Sequence, residues 1–174
     1  MADVKYDVNF ASVPVVDRCT SCHLGIDNPD YVDAPQPYTT HPNLDLYLTS
    51  SSPHPINNFG CTSCHSGRSR GTSFVSSSHT PNTPEDKERW MKEHDWKVNH
   101  HWLTPMLPTR YTEASCFNCH SNTSDLVGGE KINLGLSLID KAGCNGCHHN
   151  ENWPSLEKAG PNLKHINEKL TEDW

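Results

Sequence analysis

The pentapeptide Cys-x-x-Cys-His occurs four times in this chain of 174 residues: Cys19-Thr20-Ser21-Cys22-His23, Cys61-Thr62-Ser63-Cys64-His65, Cys116-Phe117-Asn118-Cys119-His120 and Cys144-Asn145-Gly146-Cys147-His148. Together the four copies use all eight cysteines. Any fold of this chain must therefore set two thiols and an imidazole side by side at four places. Two Cys-x-x-Cys pairs would supply the four thiolates of a tetrahedral zinc site, and one pair would make a redox dithiol. Eight cysteines in an oxidising compartment would also make a disulfide framework. None of the three requires a histidine directly after every second cysteine.

The spacing is that of the attachment sequence of c-type haem. Two thiols separated by two residues reach the two vinyl groups on one porphyrin edge, and the next side chain reaches under the ring as the proximal iron ligand. The expectation is four haem c groups, on Cys19 and Cys22, Cys61 and Cys64, Cys116 and Cys119, and Cys144 and Cys147. Their proximal ligands are His23, His65, His120 and His148. Only 33% of the residues are hydrophobic, too few for the connecting stretches to build an ordinary core. The porphyrins are expected to be the core, and the fold class is mostly irregular loop with a few α-helices packed around them and little or no β-sheet.

The formal net charge is −7, with no Lys/Arg-rich stripe. That argues against nucleic acid or an anionic membrane surface and favours a basic patch on another redox protein. No stretch is long and apolar enough for a transmembrane helix. The start, Met1-Ala2-Asp3-Val4-Lys5-Tyr6-Asp7, lacks the basic-then-apolar pattern of a signal peptide.

Pro29, Pro35, Pro37, Pro42, Pro53, Pro55, Pro81 and Pro84 exclude long helices from most of the first 125 residues. One helix is predicted there, over Glu85 to His101, with Thr83 as N-cap, Pro84 at the first position and Asp86 completing a capping box. Trp90, His94, Val98 and His101 would share a face of it. A second helix is predicted over Glu130 to Ala142, with Ile132, Leu136 and Ile139 on one face and Gly143 just past its end. Another helical run follows Leu163 and continues to Trp174.

A helix leading into Gly143-Cys144-Asn145-Gly146-Cys147-His148, followed by Gly160-Pro161-Asn162-Leu163 and a short helix, resembles the first half of a monohaem cytochrome c domain. The resemblance implies that Pro161 packs by His148. It also implies a distal Met and a crossing C-terminal helix, before which this chain stops, so the expectation is a truncated product of a longer protein, with an unusual sixth ligand on the fourth haem as the alternative. Residues 1–125 resemble the multihaem modules of membrane-associated quinol-oxidising respiratory complexes, through Thr40-His41-Pro42, Ser52-Pro53-His54-Pro55, Phe59-Gly60-Cys61, His79-Thr80-Pro81, His100-His101-Trp102 and Pro105-Met106. The expected organisation is a trihaem module, 1–125, and a partial cytochrome c-like domain, 126–174. Resemblance to c-type cytochromes implies an extracytoplasmic location, periplasmic or at the cell surface.

Four proximal histidines leave eight for the opposite side of the irons. His41 and His54 precede proline, which holds them extended, and His79 lies two residues before Pro81; these three are the first candidates for distal ligands. His101 follows, with Met106 as a thioether competitor. The plain reading of His94 is a stacking residue against Trp90 or a neighbouring porphyrin, His100 points elsewhere if the helix persists that far, and His149 and His165 are surface or supporting groups. The leading function is a non-enzymatic electron relay, with three bis-histidine haems and a fourth whose distal ligand lies outside the chain. Two alternatives stand beside it: a small reductase using His94 or His100 with Arg68, Arg70 or Arg110, and a subunit of a haem filament.

Overall fold

The computed structural model describes residues 4–8 and 11–15 as backbone, and 17–98, 105–121, 123, 125–149 and 159–163 with their side chains. The chain divides into two compact units, Met1–Ser115 and Cys116–Trp174. The sequence places a boundary later, after residue 125. By contacts, the third Cys-x-x-Cys-His motif therefore opens the second unit.

The first unit is loop tied by short elements, as its proline spacing requires. Strand β1 (Val4–Val8) pairs antiparallel with β2 (Ala11–Val15), and β3 (Tyr47–Leu48) pairs parallel with β4 (His54–Pro55). These two small sheets fit the expectation of little β-structure. Helix α1 (Ile56–Phe59) and helix α2 (Thr62–His65) are single turns, and 3₁₀ turns form at Cys19–Ser21 and Pro29–Tyr31. A longer 3₁₀ stretch, Thr109–Asn118, leads into the third motif.

Helix α3 (Pro84–Glu93) starts as its sequence dictates: Thr83 Oγ1 accepts from the Asp86 N–H at 3.1 Å, with Pro84 in the first turn. Its end differs from the prediction, which continued to His101. The His94 N–H bonds to the Trp90 carbonyl, Asp95 turns left-handed at φ 49°, and the Trp96 N–H also folds back onto Trp90. The reason lies outside the helix. Trp96 is buried, and its Nε1–H donates to the His79 carbonyl at 2.8 Å. An indole gains both burial and a satisfied N–H there, which outweighs another exposed helical turn. Trp90, His94 and Val98 consequently form no continuous face, and His101 lies outside the described residues. Replacing Thr83 with alanine removes the cap and should destabilise the chain by about 1 kcal/mol, read as a lowered midpoint in urea unfolding.

In the second unit, α4 (Glu130–Lys141) forms close to the predicted bounds. The Asn133 side chain pins the preceding loop, accepting from the Leu126 N–H at 2.9 Å and donating to its carbonyl at 2.8 Å. Gly143 adopts φ 69°, the left-handed turn that glycine permits, and α5 (Cys144–Cys147) follows at once. The helical run predicted after Leu163 lies outside the described residues.

Among the described residues, Trp96 is the only buried hydrophobic side chain. Leu24, Val32, Tyr38, Val127, Leu134 and Leu138 are exposed. A chain of this length ordinarily hides about two-thirds of its unfolded surface behind a shared apolar core. The polypeptide described here encloses no such core.

Candidate metal centre

All four Cys-x-x-Cys-His motifs adopt the same turn. The histidine N–H bonds to the carbonyl of the first cysteine at 3.0 Å in 19–23, 3.0 Å in 61–65, 2.8 Å in 116–120 and 2.9 Å in 144–148. Residues four apart on one turn share a face, so the backbone sets the first cysteine and the imidazole on one side. No disulfide joins any of the eight cysteines.

Two of these histidines face a second imidazole from a distant loop. The ring centres of His23 and His79 are 6.2 Å apart, and those of His41 and His65 are 6.0 Å apart. An imidazole nitrogen lies about 1.2 Å from its ring centre and binds a first-row metal at about 2.0 Å, so two rings holding one ion from opposite sides would have centres about 6.4 Å apart. Both pairs suit that separation. Their interplanar angles, 38° and 81°, are compatible because rotation about the shared axis leaves the centre distance unchanged.

Hydrogen bonds set the tautomers. His79 Nδ1 lies 2.7 Å from the Phe74 carbonyl and His41 Nδ1 lies 2.5 Å from the Pro42 carbonyl, while the Pro37 carbonyl faces the His23 ring. A carbonyl only accepts, so in His79 and His41 the proton is on Nδ1 and Nε2 keeps its lone pair, as in a metal-ligating histidine. Burial, before any other cause, lowers the pKa of His23, His41, His65 and His79 below the ordinary imidazole range, and for His65 the neighbouring His41 and His23 add to it. All four rings are thereby favoured in the neutral, electron-donating form.

The loops presenting the partner histidines are braced by aromatic rings. Phe74 lies between His79 and His94, 4.2 Å from each, parallel to the first within 1° and tilted 25° from the second. Trp90 meets Phe74 edge-on at 4.9 Å, and the Trp96 bond to the His79 carbonyl closes the cluster. His94 stacks on Phe74, where the sequence suggests Trp90 or a porphyrin. His41 is held by its N–H to the Ile26 carbonyl at 2.8 Å and by Tyr47, whose ring centre is 5.5 Å away.

The remaining candidates are placed differently. His54 directs Nδ1 to the Leu46 carbonyl at 3.1 Å and sits between the Tyr47 and Phe59 rings. Met106 bridges to Ser66, and its side chain packs on Gly67, whose φ of 87° follows Ser66 at 57°. In the second unit the Pro161 carbonyl lies 2.9 Å from His148 Nδ1, and Gly160 sits so close that a β-carbon there would be 2.8 Å from that nitrogen. His149 joins the same element through its carbonyl, which accepts from Leu163. The Arg110 guanidinium lies 4.7 Å from the centre of the Tyr111 ring, and the Arg68 N–H bonds to the Ser77 carbonyl. His100 and His165 lie outside the described residues.

One residue that meets two of the motifs has no sequence signal beyond standing just before the first of them. The Asp17 carboxylate accepts from the Cys61 N–H at 2.6 Å, the Thr62 N–H at 2.9 Å and Thr62 Oγ1 at 3.2 Å, and lies 3.3 Å from Cys19 Sγ. Ligand atoms of Asp17, Cys19 and Cys61 fall within 4.8 Å of one another. A hydrogen bond to Cys61, then burial and the nearby Asp17, hold the Cys19 thiol protonated well above its ordinary range.

Comparison of the chain with protein-family models, with curated proteins and with solved structures finds no match.

Proposed function

We propose that this chain is an extracytoplasmic electron-transfer module with four covalently attached c-type haems, passing electrons between a membrane or quinol-linked donor and another redox protein. The observation that carries this reading is the pair of facing histidines, His23 with His79 and His65 with His41. In each pair one member belongs to a Cys-x-x-Cys-His motif, and the spacing suits one metal ion. The missing apolar core supports it as well, because four covalently held porphyrins would supply the surface that the loops require.

On this reading Cys19 and Cys22 hold the first haem between His23 and His79, and Cys61 and Cys64 hold the second between His65 and His41. Cys116, Cys119 and His120 hold the third; Cys144, Cys147 and His148 hold the fourth. When bound, a haem iron supplies reversible one-electron chemistry. The chain's own residues determine what that chemistry is used for. Two neutral imidazoles from each facing pair would hold the iron from both sides and leave no place for a substrate, which favours electron transfer over catalysis. Backbone carbonyls at Phe74, Pro42 and Pro161 keep the ring orientations fixed, so ligation needs little rearrangement. His54, and His101 beyond the described residues, remain distal candidates assigned to no particular haem. No helix among the described residues is long and apolar enough to cross a membrane.

The Asp17, Cys19 and Cys61 cluster gives a second reading, a small metal-ion site. It offers three ligands and leaves both histidine pairs unexplained. A pyridine haemochrome assay on protein matured with haem separates the two. Four haems per chain are expected, with low-spin six-coordinate EPR signals from the first two; a haem-free chain binding one zinc ion would overturn the electron-transfer reading.

A further inference from the structure

Asp17 fastens the beginning of one motif to the beginning of another far along the chain. Its carboxylate takes both N–H groups at Cys61 and Thr62 and the Thr62 hydroxyl, and the adjacent Arg18 N–H bonds to the Ser69 carbonyl at 2.9 Å. This brings Cys19 Sγ and Cys61 Sγ within 4.8 Å of each other. These two sulfurs belong to different Cys-x-x-Cys-His motifs. We infer that Asp17 is a positioning residue that joins the first two haems at their Cys19 and Cys61 edges and lowers the reduction potential of both.

The inference rests on the haem reading above. Thioether attachment adds a thiol S–H across a vinyl C=C: the sulfur–carbon bond forms, the hydrogen goes to the other vinyl carbon, and no electron is gained or lost. The Asp17 contact with Cys19 then becomes van der Waals, while its three bonds to Cys61 and Thr62 are untouched because none uses the sulfur. Each sulfur is one bond from its haem's own side chain, so sulfurs this close bring the two porphyrin edges together. An anionic carboxylate beside both edges, in a partly buried setting of reduced dielectric, opposes the arrival of an electron at either iron.

The test is an optically monitored redox titration of the full, haem-loaded chain and its Asp17→Asn variant, after haem counting. With four haems in both, two of the four midpoints should rise in the variant, each by about tenfold in the reduction equilibrium, ~59 mV for one electron. The other two should stay in place, and Asp17→Glu, which restores the charge, should bring the raised pair back towards wild type. Any other pattern overturns the inference, including no shift, a single shift, a uniform shift of all four or loss of haem from Asp17→Asn. Should the variant not accumulate, the oxidised wild-type chain still decides. Spin coupling should broaden the low-spin EPR signals of the first two haems, and two independent, uncoupled signals from them would overturn the shared edge. Fewer than four haems in the wild-type chain is a different failure, that of the haem reading itself.

Discussion

Replacing His79 with alanine should convert one haem in four from low-spin to high-spin, and replacing His41 should convert a second. Each substitution removes one imidazole from a facing pair, His23 with His79 or His65 with His41, and leaves the corresponding Cys-x-x-Cys-His motif intact. Haem content should therefore remain four while one axial position opens. Two features tie the effect to ligation. Added free imidazole should restore the low-spin signal, because it refills the position that the side chain vacated. His94→Ala should leave the spin state alone, since His94 stacks on the far side of Phe74 from His79 and loses only that packing. Low-temperature EPR reads all three variants. An unchanged spin state in both His79→Ala and His41→Ala would rule out the pairing.

Gly25→Ala should be the most damaging single methyl group in the first unit. A β-carbon there would stand 2.0 Å from the Tyr38 carbonyl oxygen and 2.9 Å from the Tyr31 side chain. The nearer obstacle is backbone and cannot rotate away. Relief requires the Tyr38 segment to move, and that segment is continuous with Thr40, whose N–H bonds to Tyr31, and with His41, whose N–H bonds to Ile26. Overpacking of this kind costs about 3 kcal/mol, measurable as a lower urea midpoint. Displacement of His41 should also raise the high-spin fraction at the second haem before the first. Gly146→Ala is the matched control, because a β-carbon there meets nothing within 4 Å. Equal losses in the two variants would show that crowding at Gly25 is not the cause.

Local features of the site were legible in the residues, and features that depend on distant chain were not. The Cys-x-x-Cys-His turns close within five residues, so their shared geometry follows from short-range hydrogen bonding. The Thr83 cap of α3 and the left-handed Gly143 after α4 are equally local. The end of α3 escaped prediction because Trp96 answers to the His79 carbonyl, 17 residues away, rather than to its own helix. His79 was singled out by haem-ligand demand, yet nothing in its flanking residues says that it faces His23 rather than His65. Asp17 escaped altogether: an aspartate two residues before a cysteine is unremarkable until the chain 44 residues later donates three hydrogen bonds to it.

By itself, the sequence determined the four thiol-and-imidazole units, the loop-dominated architecture between them and the short helices that capping chemistry allows. These follow from covalent spacing and from backbone preferences that act over a few residues. The tertiary structure alone decided which histidines face one another, where α3 stops, and that Asp17 draws Cys19 and Cys61 together. The physical reason is that burial and hydrogen-bond satisfaction are settled between segments far apart in the chain. A ring's partner is chosen by which loop can bury it and pair its Nδ1–H, and neither condition is written beside it.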